Sequence, residues 1–421
     1  MAISEINLKS PENRGNDFKK LSRKHPEVGK SILKGSWDFV GHSNKGTVQI
    51  LNPLWLGNIE QNVKNKLWRK YGSVRKDCIG IGKNKAIIGI GAGQSFNKNK
   101  HVLKKIVDSD GCKDWRDRDF IIMASNHQFK PLLDMGIIPD FVMIVDGSDV
   151  IWNQLTQDIS QKAQNTILLA GLHCSPKVLK EWTRQKREVR FFLTTTKEVH
   201  EAFRKFTGKN PIPHVVLQGG NVLNTMVTLG QQVFHALTFF AVGNDLSYPI
   251  KDDKEEQRTS YYSDGDYSTN RPGTGTGRDE AGGQKKWCGF SLKKKSNFGN
   301  PKDAYEIELE IVGTSKTLWV YKTWLETNIL LNQYKGIDAR VQYYNCTEGG
   351  ILGVMAKKDD DESLADISNW FLLDETCKQW HTTMLEDAAK QFLTAKEAMK
   401  RWERGEMPFV APSAIGSELR I

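Results

Sequence analysis

Residues 86–96 read Ala86-Ile87-Ile88-Gly89-Ile90-Gly91-Ala92-Gly93-Gln94-Ser95-Phe96, a short apolar run that passes through glycines into a helical pattern. Such a run is typical of a buried strand that ends in a tight turn before a helix. Helical patterns separate further apolar runs, which stand at 120–124, 141–145, 166–170, 190–193, 215–217 and 238–242. Continuous apolar strands alternating with helices predict a Rossmann-like α/β fold, with a mostly parallel sheet and helices on both faces.

The same pattern divides the chain into five regions. We predict an N-terminal extension (1–80), a Rossmann-like core (81–250), a lid or insertion (251–300), a completion of the core (301–356) and a C-terminal helical region (357–421). The stretch 251–300 is polar, rich in glycine and without periodicity, which favours a mobile lid over a plain linker. An amphipathic pattern at 385–404 predicts a helix in the tail.

Composition excludes several classes of protein. The six cysteines of the 421-residue chain are scattered without zinc-site spacing, so a structural zinc site is not expected. No apolar run approaches the roughly 18 residues of a membrane span, and the polar N-terminus does not resemble a secretory signal. These features predict a cytoplasmic protein. The net charge of +10 permits an anionic partner, but the lysines are spread along the chain, which favours an ordinary solvated surface.

Two glycine-rich turns follow predicted strands and precede predicted helices. The first supplies Gly91, Ala92, Gly93 and Ser95 as candidate nucleotide-binding residues. The second supplies a further four, namely Gly219, Gly220, Asn221 and Thr225. Glycine lets the backbone approach a ligand closely, and a helix N-terminus favours anionic groups such as phosphate. Each turn taken alone is equally consistent with an ordinary strand-to-helix connection.

Polar side chains follow three more of the predicted strands. Asn126 comes after the second strand, where its amide could read a base or a sugar, or where Asn126 or Ser125 could cap a helix. Asp146 follows the third strand, and Asp245 and Tyr248 follow the strand at 238–242. Because parallel sheets bind ligands at the carboxyl ends of their strands, we predict a site at this edge.

Four segments resemble those of one family, in the same order along the chain. Gly91-Ala92-Gly93-Gln94-Ser95-Phe96 is similar to its Gly-Ala-Gly-Pro-Ser-Leu turn, and Gly136-Ile137-Ile138-Pro139-Asp140 to its Gly-Ile-x-Pro-Asp segment. Val242–Tyr248 resembles its Val-Gly-x-Asp-Leu-x-Tyr block, and Asn345–Gly350 its Asn-x-Thr-Glu-Gly-Gly element. The family is that of the Maf (motility-associated factor) glycosyltransferases and the related archaeal 6-hydroxymethylpterin diphosphokinases, with a core similar to bacterial sialyltransferases that use CMP-activated sugars.

The resemblance implies a nucleotide-dependent transferase, and the sequence departs from it in two respects. Gln94 and Phe96 replace the proline and leucine of the first turn, and Asn221 stands where a small serine is usual. The sialyltransferase-like enzymes take their general base from a histidine beyond the last core strand, whereas this chain has none between His235 and His381. The remaining candidate catalytic groups are Asp245, Tyr248, Glu348 and Asp146.

Three functions remain open on this sequence. The leading hypothesis is transfer of a sugar from a nucleotide-activated donor, such as a CMP-nonulosonic acid, to a protein, glycan or DNA acceptor, without an essential metal. The second is diphosphoryl transfer from ATP to a pterin-like alcohol, in which Asp146 and Asp245 would hold Mg²⁺. The third is a protein that binds nucleotide or DNA without catalysis.

Overall fold

The computed structural model describes residues 36–83, 85–110, 114–155, 163–208, 214–236, 238–249, 285–294, 305–334, 342–354, 380–382 and 385. They fall into two compact units. The first unit comprises 39–92 and 112–239, and the second comprises the described parts of 1–38, 93–111 and 240–421. The domain boundaries expected from the sequence stay a prediction.

Strands and helices alternate through the first half of the chain, as predicted. The strands of the described residues are β1 (Ala86–Ile90), β2 (Phe120–Ser125), β3 (Phe141–Ile144), β4 (Ile167–Gly171), β5 (Val189–Thr194), β6 (Val215–Val216), β7 (Thr238–Val242), β8 (Tyr248–Pro249), β9 (Lys285–Lys294), β10 (Tyr305–Thr314), β11 (Gln342–Asn345), β12 (Gly349–Gly350) and β13 (Trp380–Thr382). The helices are α1 (Ser36–Lys64), α2 (Leu67–Tyr71), α3 (Phe96–Asp110), α4 (Phe129–Asp134), α5 (Trp152–Leu155), α6 (Pro176–Arg184), α7 (Lys197–Thr207), α8 (Val222–Gln232) and α9 (Lys316–Tyr334).

The sheet of the first unit is parallel and follows the order of the chain. Strands β1 to β6 lie side by side in sequence, and each pairs in parallel with the next. Every residue of β1 to β5 is buried, which explains why these strands read as unbroken apolar runs. The predicted α/β class with a mostly parallel sheet is therefore confirmed.

The amino edge of this sheet holds a buried ion pair. Arg118 contacts the carboxylate of Asp140, and the backbone N–H of Ile122 donates to the other Asp140 oxygen at 2.7 Å. Burial raises the pKa of Asp140 to about 7, although Arg118 opposes the shift. Because Asp140 precedes β3, it lies at the sheet edge opposite to Asp146 and joins β2 to β3.

The second unit contains antiparallel pairing. Strands β9 and β10 form a ten-residue ladder within a four-stranded sheet of order β12-β9-β10-β8. The segment predicted as a lid or insertion therefore contains a regular strand at Lys285–Lys294, where apolar residues at 288, 290 and 292 alternate. Its role as a lid stays a prediction. The rest of 251–300 lies outside the described residues.

Strand β13 corrects the prediction of a purely helical C-terminal region. Trp380–Thr382 pairs in parallel with Tyr343–Asn345 of β11, and β11 neighbours β7. Of the helix predicted at 385–404, only Leu385 lies within the described residues. Among those residues, no helix has the length and apolar character that crossing a bilayer requires.

Candidate functional site

The second glycine turn leads into a well-capped helix. Asn221 is the N-cap of α8, and its side-chain oxygen accepts the N–H of Asn224 at 2.7 Å. Thr225 is fully buried, and its hydroxyl donates to the carbonyl of Asn221 at 2.9 Å. Asn221 therefore fixes the start of α8, whereas the Thr225 side chain is buried and bonded within the first turn. Gly219, which is buried, and Gly220, which is exposed, precede the cap.

Packing of α8 on β1 brings the two glycine turns to the same edge of the first unit. A Cβ placed on Gly89 would lie 3.3 Å from Cδ1 of Leu223, in the first turn of α8, and one on Gly230 would lie 2.7 Å from Cδ1 of Ile87. The helix thus runs along β1 with its N-terminus near the carboxyl end of that strand. Gly91 and Ala92 follow β1 at this end, so the first unit brings them close to the second turn.

Ser125 stands at the same edge with an unpartnered hydroxyl. Gly89 pairs in register with Met123, so Ser125, two residues later, shares the sheet face that α8 covers. The Ser125 side chain is 7% exposed, and its oxygen has no hydrogen-bond partner among the described residues. The buried amide nitrogen of Gln218 also lacks one. Buried polar atoms of this kind usually find a partner, and here a ligand could supply it.

Asn126 does not cap a helix. Its side-chain nitrogen donates to Oε1 of Gln154 at 2.5 Å, and Nε2 of Gln154 lies 3.0 Å from Nδ1 of His127. The N-cap of α4 is Gln128, without a side-chain capping bond. Gln154 therefore orients both polar side chains that follow β2. Sequence analysis missed Gln154, because 28 residues separate it from Asn126 and no local pattern marks it.

Asp146 is an exposed carboxylate at this edge. It follows β3, and its Oδ1 accepts the N–H of Ser148 at 2.8 Å. Ser148 in turn caps the short 3-10 helix Asp149–Ile151. A carboxylate that is fixed at one oxygen and exposed to solvent is able to reach a ligand or a proton.

Helix α1 holds the loops after β3 and β4. The amide nitrogen of Asn58 donates to the carbonyls of Gly147 and His173, at 2.8 and 3.0 Å, and that of Asn62 to the carbonyls of Leu172 and Cys174, at 2.8 and 2.9 Å. The His173 ring is fully buried, which lowers its pKa to about 4. The only sequence signal for these four hydrogen bonds was the spacing of Asn58 and Asn62, which lie about one helical turn apart.

In the second unit, Asp245 is bound to Ser95 of the first glycine turn. Both the N–H and the hydroxyl of Ser95 donate to the carboxylate, the N–H at 2.7 Å. Asp245 is 5% exposed, and burial raises its pKa to about 6 although Ser95 opposes the shift. A Cβ on Gly93 would lie 2.5 Å from Asp245 Oδ1, so this carboxylate is one reason why Gly93 is a glycine.

Glu348 and Tyr248 are also engaged inside the second unit. Oε1 of Glu348 accepts the side-chain N–H of Asn99 at 3.2 Å and the backbone N–H of Leu385 at 3.0 Å. Burial raises the pKa of Glu348. Tyr248 is 1% exposed, and its hydroxyl donates to the carbonyl of Thr314 at 3.5 Å. These predicted catalytic groups therefore lie in packed surroundings.

The two units thus divide the predicted site residues between them. The first unit brings together Gly91, Ala92, Asn126, Gly219, Gly220 and Asn221, with Asp146 on the same sheet edge. The second unit brings together Gly93, Ser95, Asp245 and Glu348. Among the described residues, no group of three or more histidine, cysteine or acidic side chains could hold a metal ion.

Comparison with known proteins finds a family model that matches part of the chain. The sequence model of the family described as "6-hydroxymethylpterin diphosphokinase MptE-like" matches residues 55–251. No curated protein gives a significant match. Among solved structures, the chain is similar to a Maf glycosyltransferase from Magnetospirillum magneticum AMB-1, with 13% sequence identity and a TM-score of 0.40.

That structural match covers 70% of this chain and 37% of the other protein, so the chain spans little more than a third of its length. The family match covers β1 to β8 and the complete carboxyl edge of the first unit. Residues 55–251 thus match the MptE-like family, and the resemblance predicted from the sequence is confirmed over that segment.

Proposed function

We propose that the chain is a nucleotide-dependent transferase that moves a sugar from a nucleotide-activated donor to an acceptor hydroxyl. The observation that carries the proposal is the arrangement at the carboxyl edge of the first unit. Helix α8 presents its N-terminus beside Gly91 and Ala92. At the same edge, the Ser125 hydroxyl and the Gln218 amide nitrogen have no hydrogen-bond partner among the described residues. Backbone N–H groups at a helix start, glycine turns and unused donors are suited to a nucleotide phosphate.

In the proposed reaction, the acceptor oxygen forms a bond to the anomeric carbon of the donor. The bond between that carbon and the donor phosphate oxygen breaks, and its electron pair leaves with the nucleotide. The N-terminus of α8 stabilises the phosphate charge that develops. The acceptor proton passes to a base, and we assign Asp146 to this role because its carboxylate is exposed and closely follows the carboxyl end of β3.

Asp245 has a different role in this proposal. Its carboxylate accepts two hydrogen bonds from Ser95, so we assign it to holding the start of α3 within the second unit. Asn126 is held by Gln154 and would contact the base or sugar of the donor. A CMP-nonulosonic acid remains the donor that we expect first, and protein, glycan and DNA remain the acceptors to be tested. The cytoplasmic location predicted from the sequence stays a prediction.

The second candidate function is ATP-dependent diphosphoryl transfer to a pterin-like alcohol, which the description of the matching family favours. It would require Mg²⁺ held by carboxylates. Two of the candidate carboxylates, Asp245 and Glu348, already accept protein hydrogen bonds and are buried. Asp146 is the better placed ligand. Because Asp245 and Glu348 are already engaged by protein hydrogen bonds, few carboxylates are left for Mg²⁺. We therefore rank sugar transfer above diphosphoryl transfer.

A thermal-shift screen tests the proposal. The full chain is melted with CMP, UDP, GDP or ATP, each with and without Mg²⁺, since a nucleotide that binds the folded state raises the melting temperature. Sugar transfer predicts stabilisation by a pyrimidine or guanosine nucleotide in the presence of EDTA. Diphosphoryl transfer predicts stabilisation by ATP that depends on Mg²⁺. If no nucleotide stabilises the chain at millimolar concentration, the proposed function is wrong.

A further inference from the structure

Helices α2 and α7 lie side by side at the β5 end of the first unit. The rings of Trp68 and Phe203 pack edge to face with centroids 5.3 Å apart. The loop after α2 is joined to β5, because the N–H of Val74 donates to the carbonyl of Phe191 at 3.0 Å. The two helices and this loop therefore form one continuous part of the surface.

This part of the surface carries seven exposed cations, which we call the basic surface. They are Lys66, Arg69, Lys70, Arg75, Lys76, Arg204 and Lys205. Within the described part of the chain, none of the seven lies within ion-pair distance of a carboxylate. Neighbouring cations differ: Lys64 pairs with Glu60 at 2.7 Å, and Arg190 pairs with Asp77 at 2.5 Å.

Helix C-termini account for the positions of four of these seven cations. Arg69 and Lys70 stand in the last turn of α2, and Arg204 and Lys205 in that of α7, where cations interact favourably with the helix dipole. The other three cations have no such position. The acidic residues of α7 are used within it, since Glu201 pairs with Lys197 at 3.5 Å and Glu198 stands in the first turn. Asp77 interacts electrostatically with Lys76, but its carboxylate is paired with Arg190. Cations in excess over the carboxylates near them indicate an anionic partner.

The aromatic rings below the cations favour double-stranded over single-stranded nucleic acid. Arg69 lies over Trp68 at 5.3 Å, Lys70 over Tyr71 at 5.0 Å, and Lys205 over Phe206 at 5.7 Å. Each ring is covered by a cation, and Tyr71 is in addition buried. Single strands bind by stacking bases on open aromatic faces, which this surface does not offer. A double helix needs only charges that contact its phosphates.

We propose that the basic surface binds the phosphate backbone of duplex DNA. The contact is independent of the sequence of the duplex, because no groove-reading element is required. This proposal does not rest on the transfer reaction: the basic surface lies on α2, α7 and their loop, and none of its residues belongs to the candidate donor site.

The test measures binding of the full chain to a fluorescent 20-base-pair duplex at several salt concentrations. We expect the logarithm of the affinity to fall linearly with the logarithm of the salt concentration. The triple variant Arg69→Gln, Lys70→Gln, Lys205→Gln should bind at least about 10-fold more weakly at low salt, with a slope smaller by about 2 to 3, or nearly one per lost phosphate contact. A matched control replaces three exposed lysines elsewhere, Lys100→Gln, Lys105→Gln and Lys180→Gln.

The control variant should keep the affinity and most of the slope of the original protein. Equal losses in the two variants would overturn the proposal, because binding would then follow net charge alone. Tighter binding to the single strand of the same sequence, or to vesicles containing phosphatidylserine, would also overturn it. Absence of duplex binding at 50 mM salt would do so directly. Nucleotide-induced stabilisation of the triple variant, measured in parallel, reports separately on the donor site.

Discussion

Two polar clusters, one in each unit, differ in how their hydrogen bonds are used. In the second unit, the Asp245 carboxylate accepts hydrogen bonds from the N–H and the hydroxyl of Ser95. The Glu348 carboxylate accepts hydrogen bonds from the Asn99 side chain and the Leu385 backbone N–H. In the first unit, the hydroxyl of Ser125 has no partner among the described residues, although Ser125 is as buried as Asp245. We call the cluster of Asp245 and Glu348 the closed cluster, because both carboxylates accept protein hydrogen bonds, although Oδ1 of Asn99 lacks a partner among the described residues. We call the cluster of Ser125 the open cluster, because its hydroxyl is left for a ligand.

The two clusters differ in their hydrogen bonds and not in their position. Both clusters follow strands, both lie next to a glycine turn, and both contain residues that the sequence marked as candidates. Because an unpaired buried polar group costs about 1 to 3 kcal/mol, a closed cluster lowers the free energy of the fold by itself, whereas an open one gains most when a ligand binds. Four substitutions test this comparison.

The largest effect is expected for Gly350→Ala, which should disrupt the closed cluster. Gly350 has a φ of +95°, and a Cβ there would lie 2.3 Å from the carbonyl oxygen of Asp245. Strain and overpacking together should lower the free energy of unfolding by about 3 kcal/mol, measured by urea denaturation. Gly208→Ala is the matched control, because Gly208 has a φ of +70° with no atom within 4 Å. It should cost about 1 kcal/mol, from strain alone.

The second effect concerns the charge of Asp245. Because its pKa is raised to about 6 in the folded chain, the protonated form is favoured by folding, and the resulting stability is fully present below about pH 4. It is lost as the pH rises through 6, by about 2 to 3 kcal/mol. Asp245→Asn imitates the protonated form and can keep both contacts to Ser95.

The difference in free energy of unfolding between the original protein and the Asp245→Asn variant should therefore fall between pH 4 and pH 7, since the other titrating groups cancel. A difference that is constant with pH would mean that Asp245 is not buried in the closed cluster. Under our assignment, the variant also keeps most of its turnover with an identified substrate. A loss of about 100-fold in turnover at unchanged stability would instead make Asp245 the catalytic base.

The sequence was sufficient to predict the fold of the first unit, and the reason is physical. Strands such as β2 and β4 are buried on both faces, so each appears as an uninterrupted apolar run whatever its neighbours are. Strand β9 was missed because its apolar residues alternate with polar ones, next to a long stretch without periodicity. The pattern of apolar residues along a sequence reports which side chains are buried. A strand buried on one face gives an alternating pattern, which is a weaker signal than an unbroken apolar run.

The candidate site was predictable only as a set of strand ends. Which polar groups are used depends on partners distant in sequence: Ser95 and Asp245 are 150 residues apart, and Asn62 holds a carbonyl 112 residues away. Thr225 was expected to bind nucleotide, yet it donates to Asn221 within α8 and is buried. A single sequence carries no record of such pairings, so their roles required coordinates.

The third effect tests the start of α8 in the open cluster. Asn221→Ala removes the cap on the N–H of Asn224 and should lower the free energy of unfolding by about 1 kcal/mol. It should also weaken nucleotide-induced stabilisation, because the helix start frays where phosphate is proposed to bind. Ser315→Ala, which removes the acceptor of the Leu318 N–H at the start of α9, should cost a similar amount and leave nucleotide stabilisation intact. Equal nucleotide effects in the two variants would remove α8 from the donor site.

The smallest change in the free protein is expected for Ser125→Ala, which deletes a hydroxyl without a partner. The free energy of unfolding should stay within about 0.5 kcal/mol or rise slightly, because no hydrogen bond is lost and a buried polar atom is removed. Thr166→Val is the matched control, since that buried hydroxyl donates to the carbonyl of Pro139 at 2.7 Å, and its loss should cost about 1 kcal/mol. With a stabilising nucleotide present, the order reverses. The Ser125 variant should lose part of the shift in melting temperature, as expected when a ligand loses a partner in the folded state, while the Thr166 variant keeps the full shift. If the Ser125 variant is destabilised without ligand but shows a normal nucleotide shift, the hydroxyl makes a protein contact in the folded state. The open cluster would then not bind nucleotide through Ser125.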